Sequence, residues 1–309
     1  MNTKIKGSIF FILIAFIAWY FLLKPSDYTI HFEAKTATGT IFQGIQEWSS
    51  TQSKKNNDTY TIVEKRNFDF IKQEFKKGKE HLFYTWTLTS VNDSITKVVV
   101  DIKDENNSWY NKLTVPFIAT PFREKQIAKM KDFKTGLEEH LKAFKVKLDG
   151  EAKEEELFVA YISLNSVLQE KAQTMIEFDA DIVGYLERNK IKIIGFRPYL
   201  EVVNWDKDKE TVSFNYCFPI PKNTKYIPDA KVKFKTIPAV KGLKATYFGN
   251  YRTSDRAWFA ILDYAKRNNI RTKVNINLVE LCVKRLRVRS KQISFRVRDR
   301  INIVIGIIR

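Results

Sequence analysis

The sequence predicts an α+β chain that begins with a transmembrane helix and continues into two further domains. Three features support this prediction: an uncharged apolar segment at 7–23, a series of strand-like runs followed by a long amphipathic helix, and a pattern that occurs twice in the second half. Together they divide the chain into a membrane anchor at 1–25, a first domain at 26–150 and a second domain at 151–309.

The N-terminal segment 7–23 has no charged residue and consists mainly of Phe, Ile, Leu and Ala. As a helix it would extend about 25 Å, and Trp19 and Tyr20 suit a membrane interface. A cleavable signal peptide needs small residues before its cut site, and 20–24 offers none. We therefore predict an uncleaved single-pass anchor, with the rest of the chain outside the cytoplasm.

The net charge of +18 is unevenly distributed, because nine basic residues and one acidic residue lie in the tail at 284–309. Charge alone permits nucleic-acid binding, but the sequence shows no recognition helix, zinc-finger spacing or aromatic–basic RNA motif, so no nucleic-acid partner is expected. The two cysteines and three scattered histidines make no metal-ligand pattern. The sequence thus predicts neither a metal nor a cofactor.

The first domain is predicted to hold one strand, a short helix, four strand-like runs and a long helix. In the third run Tyr84 and Trp86 alternate with threonines, which is typical of a half-buried antiparallel strand. Thr120 and Pro121 then form a helix-start signal before a stripe of apolar residues at spacings of three and four. The predicted elements, in chain order, are 28–34, 36–46, 59–66, 68–76, 80–90, 94–103 and 120–148.

This order of elements is a helix-grip layout. With its opening strand, the residues Thr40-Ile41-Phe42 and the sequence Trp48-Ser49-Ser50, the domain resembles the START-like or polyketide-cyclase superfamily (SRPBCC). The resemblance implies an apolar cavity between the sheet and the long helix, lined by Trp48, Tyr84 and Trp86. The alternative is that these three aromatic residues are ordinary core residues.

The second domain repeats itself at an offset of 79 residues. The segment that begins at Tyr185 is similar in sequence to the segment that begins at Tyr264, and the same offset aligns Glu201 with Glu280. Each copy reads as a helix, a tight turn and a strand with one carboxylate among apolar neighbours. Duplicated units bury their apolar faces against each other, so the crevice between the copies is the expected ligand site.

The run Tyr247-Phe248-Gly249-Asn250-Tyr251, followed by a helix with Trp258 and a strand with Glu280, resembles the GyrI-like family. Members are effector-binding domains of AraC-type regulators, and the resemblance covers 156–283. It implies a duplicated βαββ fold with a cleft for lipophilic, often cationic, molecules. In that cleft Glu280 would supply a negative charge and Tyr247, Tyr251 and Trp258 would supply aromatic walls. Glu201 is the counterpart of Glu280 in the first copy. The alternatives are that both glutamates lie on solvated strand faces and that Trp258 is plain core.

The tail at 284–309 departs from the family pattern, because 281–309 contains no proline and no polar turn. One explanation is a reading-frame change near 275–285, which would scramble the final strand. The other is a basic extension that binds anionic lipid.

The function predicted from the sequence is non-catalytic binding of a small lipophilic molecule, which can be cationic, by a membrane-anchored protein. One alternative is a hydrolase or cyclase that uses Glu280 with a tyrosine as acid and base. Another is a lipid-binding carrier. Because no helix-turn-helix is visible, direct transcriptional activation is not predicted.

Overall fold

The computed structural model describes residues 3–56, 58–195, 198–272, 278–282 and 299–306. The chain divides into two compact units, and each combines helices with antiparallel strands. Unit 1 comprises Met1–Lys35, Ile41–Val91 and Ile95–Glu138; unit 2 comprises Thr36–Thr40, Asn92–Ser94 and Glu139–Arg309.

Unit 1 is built on a five-stranded sheet with the strand order β1-β5-β4-β3-β2. Its elements are α1 (Thr3–Ala18), a π-helical turn (Trp19–Leu23), β1 (Tyr28–Ala34), α2 (Thr38–Asn56), β2 (Thr59–Arg66), β3 (Phe70–Lys77), β4 (Glu80–Asn92), β5 (Ile95–Asp104), α3 (Ser108–Thr114) and α4 (Pro121–Lys142). Helix α2 extends well beyond the predicted 36–46 helix, so Trp48 lies in a helix and not after one.

The core of unit 1 lies between the sheet and α4. The alternation predicted in β4 is observed, because Leu82, Tyr84 and Trp86 are all buried. The Phe133 ring of α4 contacts the rings of Phe32 and Trp86 at centroid distances of 6.2 and 5.1 Å. Helix α4 therefore packs across the inner face of this sheet.

The predicted transmembrane helix and single-pass anchor are wrong: among the described residues, no helix is long and apolar enough to cross a membrane. Helix α1 has 16 residues, which is about 24 Å and shorter than a hydrocarbon core of about 30 Å. The turn that follows is tied to α3, because the Tyr20 hydroxyl donates to the Lys112 carbonyl at 2.9 Å and the Phe21 ring stacks on Trp109 at 4.9 Å. The predicted extracytoplasmic location, which depended on the anchor, is withdrawn with it.

Unit 2 is built on an eight-stranded sheet with the strand order β10-β7-β9-β8-β12-β13-β11-β6. Its elements are β6 (Lys145–Glu154), β7 (Leu157–Val167), α5 (Lys171–Arg188), β8 (Tyr199–Asp206), β9 (Thr211–Pro219), β10 (Lys233–Ile237), β11 (Val240–Gly249), α6 (Asp255–Arg267), β12 (Leu278–Cys282) and β13 (Asp299–Gly306). Short 3₁₀ turns precede the two helices at Leu168–Glu170 and Tyr251–Thr253.

The strand order shows that the sequence repeat is a repeat of structure. One copy contributes β7-β9-β8 and the other contributes β11-β13-β12, and the two meet at the antiparallel pair β8–β12 in the middle of the sheet. The outer strands are exchanged: β6, which precedes the first copy, pairs with β11 of the second, while β10, which precedes the second copy, pairs with β7 of the first.

Two segments of unit 2 differ from the sequence predictions. The long helix predicted to reach residue 148 ends at Lys142, and Lys145–Glu154 forms β6, whose exposure alternates residue by residue as in a strand with one covered face. The basic tail contains the strand β13, which is in register with both β11 and β12. The final strand, which a reading-frame change was expected to scramble, is therefore present.

Candidate functional site

The candidate site lies on the face of the unit 2 sheet that carries both helices. Helix α5 packs on β7 and α6 packs on β11. The Trp205 ring of β8 meets the rings of Trp258 and Phe259 of α6 at centroid distances of 5.4 and 5.9 Å. Helix α6 therefore also reaches the first copy, so the two copies share one buried helix–sheet layer.

A row of directly paired residues crosses this face at the junction of the two copies. Ile162 pairs with Tyr216, Tyr216 with Leu200, Leu200 with Glu280, and Glu280 with Ile303. The side chains of Ile162, Tyr216, Leu200 and Ile303 are all buried. Glu280 is thus the one acidic position in a row whose other members are apolar or aromatic; its side chain lies outside the described part of the structure.

Glu201 belongs to a different row, on the opposite face of the sheet. Its register partners are Asn215 and Val279, so the two glutamates of the repeat are not paired with each other. The Glu201 carboxylate forms an ion pair with Lys235 and accepts a hydrogen bond of 2.8 Å from the Asn215 amide, which in turn accepts one of 2.9 Å from the Ser163 hydroxyl. Glu201 is therefore held in a polar network of the protein itself.

The predicted aromatic residues are brought close to the start of both helices. Tyr251 and Trp258 are buried, and the ammonium of Lys171 lies 5.5 Å from the centroid of each ring. Tyr247 is also buried, but its hydroxyl is hydrogen-bonded to Thr253 Oγ1 at 2.6 Å. The pair formed by Tyr251 and Trp258 is therefore an aromatic site that already holds a cation of the chain itself.

That cation is part of a buried ion network that joins the first residues of α5 and α6. The Lys171 ammonium lies 3.4 Å from Asp255 Oδ1, and the side chains are 0% and 3% exposed. The Arg256 guanidinium donates to Asp255 Oδ2 at 2.6 Å and to His140 Nε2 at 3.2 Å. Burial acts to raise the pKa of Asp255, but the charges of Arg256 and Lys171 outweigh it and the pKa lies below its usual value.

The first copy has no second aromatic site of this kind at the matching position. Asp179 stands where Trp258 stands in the second copy, and its carboxylate accepts a 2.7 Å hydrogen bond from the Tyr216 hydroxyl. Burial raises the pKa of Asp179, although the hydrogen bond from Tyr216 acts against it. The two copies therefore share a backbone plan but carry different chemistry.

Of the residues proposed to line a cavity in unit 1, Tyr84 and Trp86 are buried in its core and Trp48 is half-buried. The Tyr84 hydroxyl donates to Gln126 Oε1 at 2.7 Å, and the Trp86 indole donates to Gln73 Oε1 at 3.1 Å. Trp48 contacts the Phe133 ring at a centroid distance of 5.8 Å. The polar atoms of Tyr84 and Trp86 are thus satisfied inside the core, whereas the Trp48 indole donates to Asp132 Oδ2 at 2.9 Å nearer the surface.

No local pattern in the sequence pointed to the Lys171–Asp255–Arg256 network. Asp255 lies in the first turn of α6, where an acidic side chain is favourable next to the positive end of the helix dipole. The sequence alone therefore indicated that a helix begins at this residue. Its partner Lys171 lies 84 residues away, and no local pattern distinguishes it from a surface lysine. Within the described ranges, no group of three or more His, Cys, Asp or Glu residues is arranged to bind a metal ion.

Comparison with known proteins supplies structural likeness only. No family model matches the chain, and no curated protein matches it. Among solved structures, the chain is similar to EcmrR in a DNA complex, with 11% identity, a TM-score of 0.41 and coverage of 65% of this chain and 71% of that one. It is also similar to the EcmrR C-terminal domain, with 12% identity, a TM-score of 0.39 and coverage of 53% and 99%. A third similar structure is SAV2435 bound to tetraphenylphosphonium, with 13% identity, a TM-score of 0.32 and coverage of 53% and 93%.

The fold and the site together define a class of protein with two units, each of which combines helices with antiparallel strands. The second unit is a duplicated antiparallel sheet that carries both of its helices on one face.

Proposed function

We propose that unit 2 binds a small lipophilic molecule, preferably a cationic one, without catalysing a reaction. The observation that carries the proposal is the position of Glu280, between Leu200 and Ile303 at the junction of the two copies. A carboxylate placed among apolar side chains needs a counter-charge, and a lipophilic cation would supply one while its apolar groups replace water.

The aromatic site next to α6 supports the same conclusion. Tyr251 and Trp258 already hold the Lys171 ammonium over their rings, so their placement suits a positive charge. These residues belong to the part of the chain that resembles the GyrI-like family, and the resemblance implies a cleft for lipophilic cations.

For unit 1 we propose a helix-grip domain of the START-like type. The proposal rests on the five-stranded antiparallel sheet and on α4, whose Phe133 side chain packs on the inner face of that sheet.

Glu280→Gln, with Glu201→Gln as its matched control, tests the proposed function. Both substitutions remove one carboxylate from the same strand pair, but Glu201 is already paired with Lys235. Calorimetric titration of the full chain with tetraphenylphosphonium should show Glu280→Gln weakening binding by about 1–3 kcal/mol, the scale for losing a charged partner in a buried site. The same substitution should weaken the binding of triphenylphosphine oxide, an uncharged analogue, by less.

Glu201→Gln should leave the affinity for tetraphenylphosphonium unchanged. Equal losses for the charged and uncharged ligands in Glu280→Gln would show that the carboxylate is structural. Absence of binding by the wild-type chain would refute the proposed function.

A further inference from the structure

A cavity of about 850 Å³ lies on the outer face of the unit 1 sheet, opposite the face that packs on α4. Its floor consists of side chains from β3, β4 and β5, namely Lys72, His81, Phe83, Thr85, Asp101 and Lys103. In β4 the floor residues alternate with the buried Leu82, Tyr84 and Trp86, so floor and core lie on opposite sides of the sheet. The cavity is therefore separate from the space between the sheet and α4, where the helix-grip resemblance implies a ligand.

The wall of this cavity is formed by residues 21–25, which precede β1, and by α3. The Phe21 ring stacks on the Trp109 ring at a centroid distance of 4.9 Å and an interplanar angle of 14°. Trp109 is nevertheless 63% exposed, so much of its ring remains open to contact. Phe83 adds a half-buried ring on the floor. Aromatic side chains on both wall and floor suit a flat aromatic ligand.

Some charged groups of the floor are balanced by partners within the chain. Lys103 forms an ion pair with Glu105 at 2.6 Å. His81 lies 2.8 Å from Glu74, and Glu74 also forms an ion pair with Lys76 at 2.7 Å. These pairs add little net charge to the cavity.

Lys112 is balanced from behind the wall. It is 5% exposed, and its ammonium donates to the carbonyls of Phe21 and Lys24 at 3.2 and 2.7 Å. Two buried carboxylates lie behind it: Asp27 acts electrostatically on the ammonium, and Asp104 acts on Asp27. Lys112 therefore holds the wall in place and offers little charge to a ligand.

Two other lysines of the lining, Lys24 and Lys72, form no ion pair within the described part of the chain. The Lys72 ammonium lies 5.2 Å from the centroid of the Phe83 ring. The Lys24 ammonium lies 4.9 Å from the centroid of the Tyr20 ring. The carboxylate that opposes them in the lining is Asp101. Two cations thus share the lining with one carboxylate, and the excess of one positive charge matches a ligand with one negative charge.

We propose that this cavity binds a small aromatic molecule that carries a single negative charge. Lys72 and Lys24 hold the anionic group, and the aromatic part packs on Trp109 of the wall. Asp101 limits the charge that the cavity accepts, because a second negative group would be repelled by its carboxylate. The site lies within unit 1 and does not depend on the function proposed for unit 2.

The test uses the full chain and two fluorescent probes, anilinonaphthalene sulfonate and N-phenylnaphthylamine, which share their rings and differ in the sulfonate. In fluorescence titration, Lys72→Met should weaken binding of the sulfonate by about 3- to 10-fold and binding of the uncharged amine by less. Lys97→Met is the matched control, because Lys97 is an exposed lysine of β5 outside the lining. It should leave the affinity for both probes unchanged.

A second pair of variants tests the aromatic wall. Trp109→Ala should weaken binding of both probes by about tenfold, because it removes the ring that each of them contacts. Tyr110 is 62% exposed, as much as Trp109, but lies outside the lining. Tyr110→Ala should therefore leave both affinities unchanged.

Asp101→Asn gives an increase in affinity that misfolding would not produce. It removes the opposing negative charge, so it should tighten binding of the sulfonate several-fold and leave the amine unaffected. Failure of the sulfonate to bind the wild-type chain, equal effects of Lys72→Met on the two probes, or unchanged binding by Trp109→Ala would overturn the proposal.

Discussion

Replacing Asp255 by Asn should destabilise unit 2 more than any other single change in its ion network. The Asp255 carboxylate is 3% exposed and serves two cations, Lys171 at 3.4 Å and Arg256 at 2.6 Å. Without it, two positive charges remain in a region where Lys171 has no exposed surface. Removing one partner of a buried pair typically costs about 3–5 kcal/mol, because the remaining charge is left without compensation.

Lys171→Met should cost clearly less, because Asp255 retains its hydrogen bond from Arg256. The double substitution Asp255→Asn, Lys171→Met should be less destabilised than the sum of the two single changes, since it removes both members of one pair. Replacing a whole buried pair by apolar groups is often nearly neutral.

Hydrogen exchange of the α6 backbone amides is the appropriate assay, because it reports the stability of unit 2 without assuming that the whole chain unfolds at once. Urea unfolding of the same variants gives a second measure. If Asp255→Asn lowered the opening free energy of α6 by less than about 1 kcal/mol, the Asp255 carboxylate would not be compensating the buried charges of Lys171 and Arg256.

Three further outcomes follow from the same contacts. Burial, together with the charge of Arg256, lowers the pKa of His140, so the unfolded chain binds this proton more readily, with a pKa of about 6.5. The unfolding free energy should therefore fall as the pH drops below about 7, and His140→Gln should reduce this pH dependence in urea unfolding. Lys171→Met should strengthen tetraphenylphosphonium binding in calorimetry if the ligand uses Tyr251 and Trp258, because the competing internal cation is gone; a weaker affinity would place the ligand elsewhere. Tyr84→Phe should cost about 1–3 kcal/mol in thermal or urea unfolding, since it leaves a buried acceptor unsatisfied, and a neutral effect would contradict that hydrogen bond.

The sequence predicted those elements whose signal is local. The alternation in β4 and the apolar spacing in α4 are both observed, because each pattern reports which side of one element is buried. The same reasoning wrongly placed Phe144 and Leu148 in α4, because their four-residue spacing continues the apolar stripe of that helix. The alternation of Val146 and Leu148 with charged residues fitted a strand equally well, and pairing with β11 decides in its favour.

Long-range pairing could not be predicted in this way. Leu148 of β6 acquires its strand partner, Ala245, from a part of the chain about one hundred residues later. The predicted membrane helix failed for a related reason: its composition was apolar, but the end of α1 at Ala18 and the contact between Phe21 and Trp109 are properties of the folded chain. For the candidate site, the sequence identified Tyr251 and Trp258 but not the lysine that lies over them.

The exchanged outer strands make the two copies of unit 2 dependent on each other. A chain that contained only the first copy would present β6 with no partner and β7 with an unpaired edge, which is a template for association with other chains. Such a half could complete its sheet only by borrowing strands from a second molecule, as in a domain-swapped dimer. In a chain that contains both copies, the connection between them turns that bimolecular step into an intramolecular one, at an effective concentration on the order of millimolar for short flexible linkers. The duplication therefore makes closure of the sheet independent of how much protein is present.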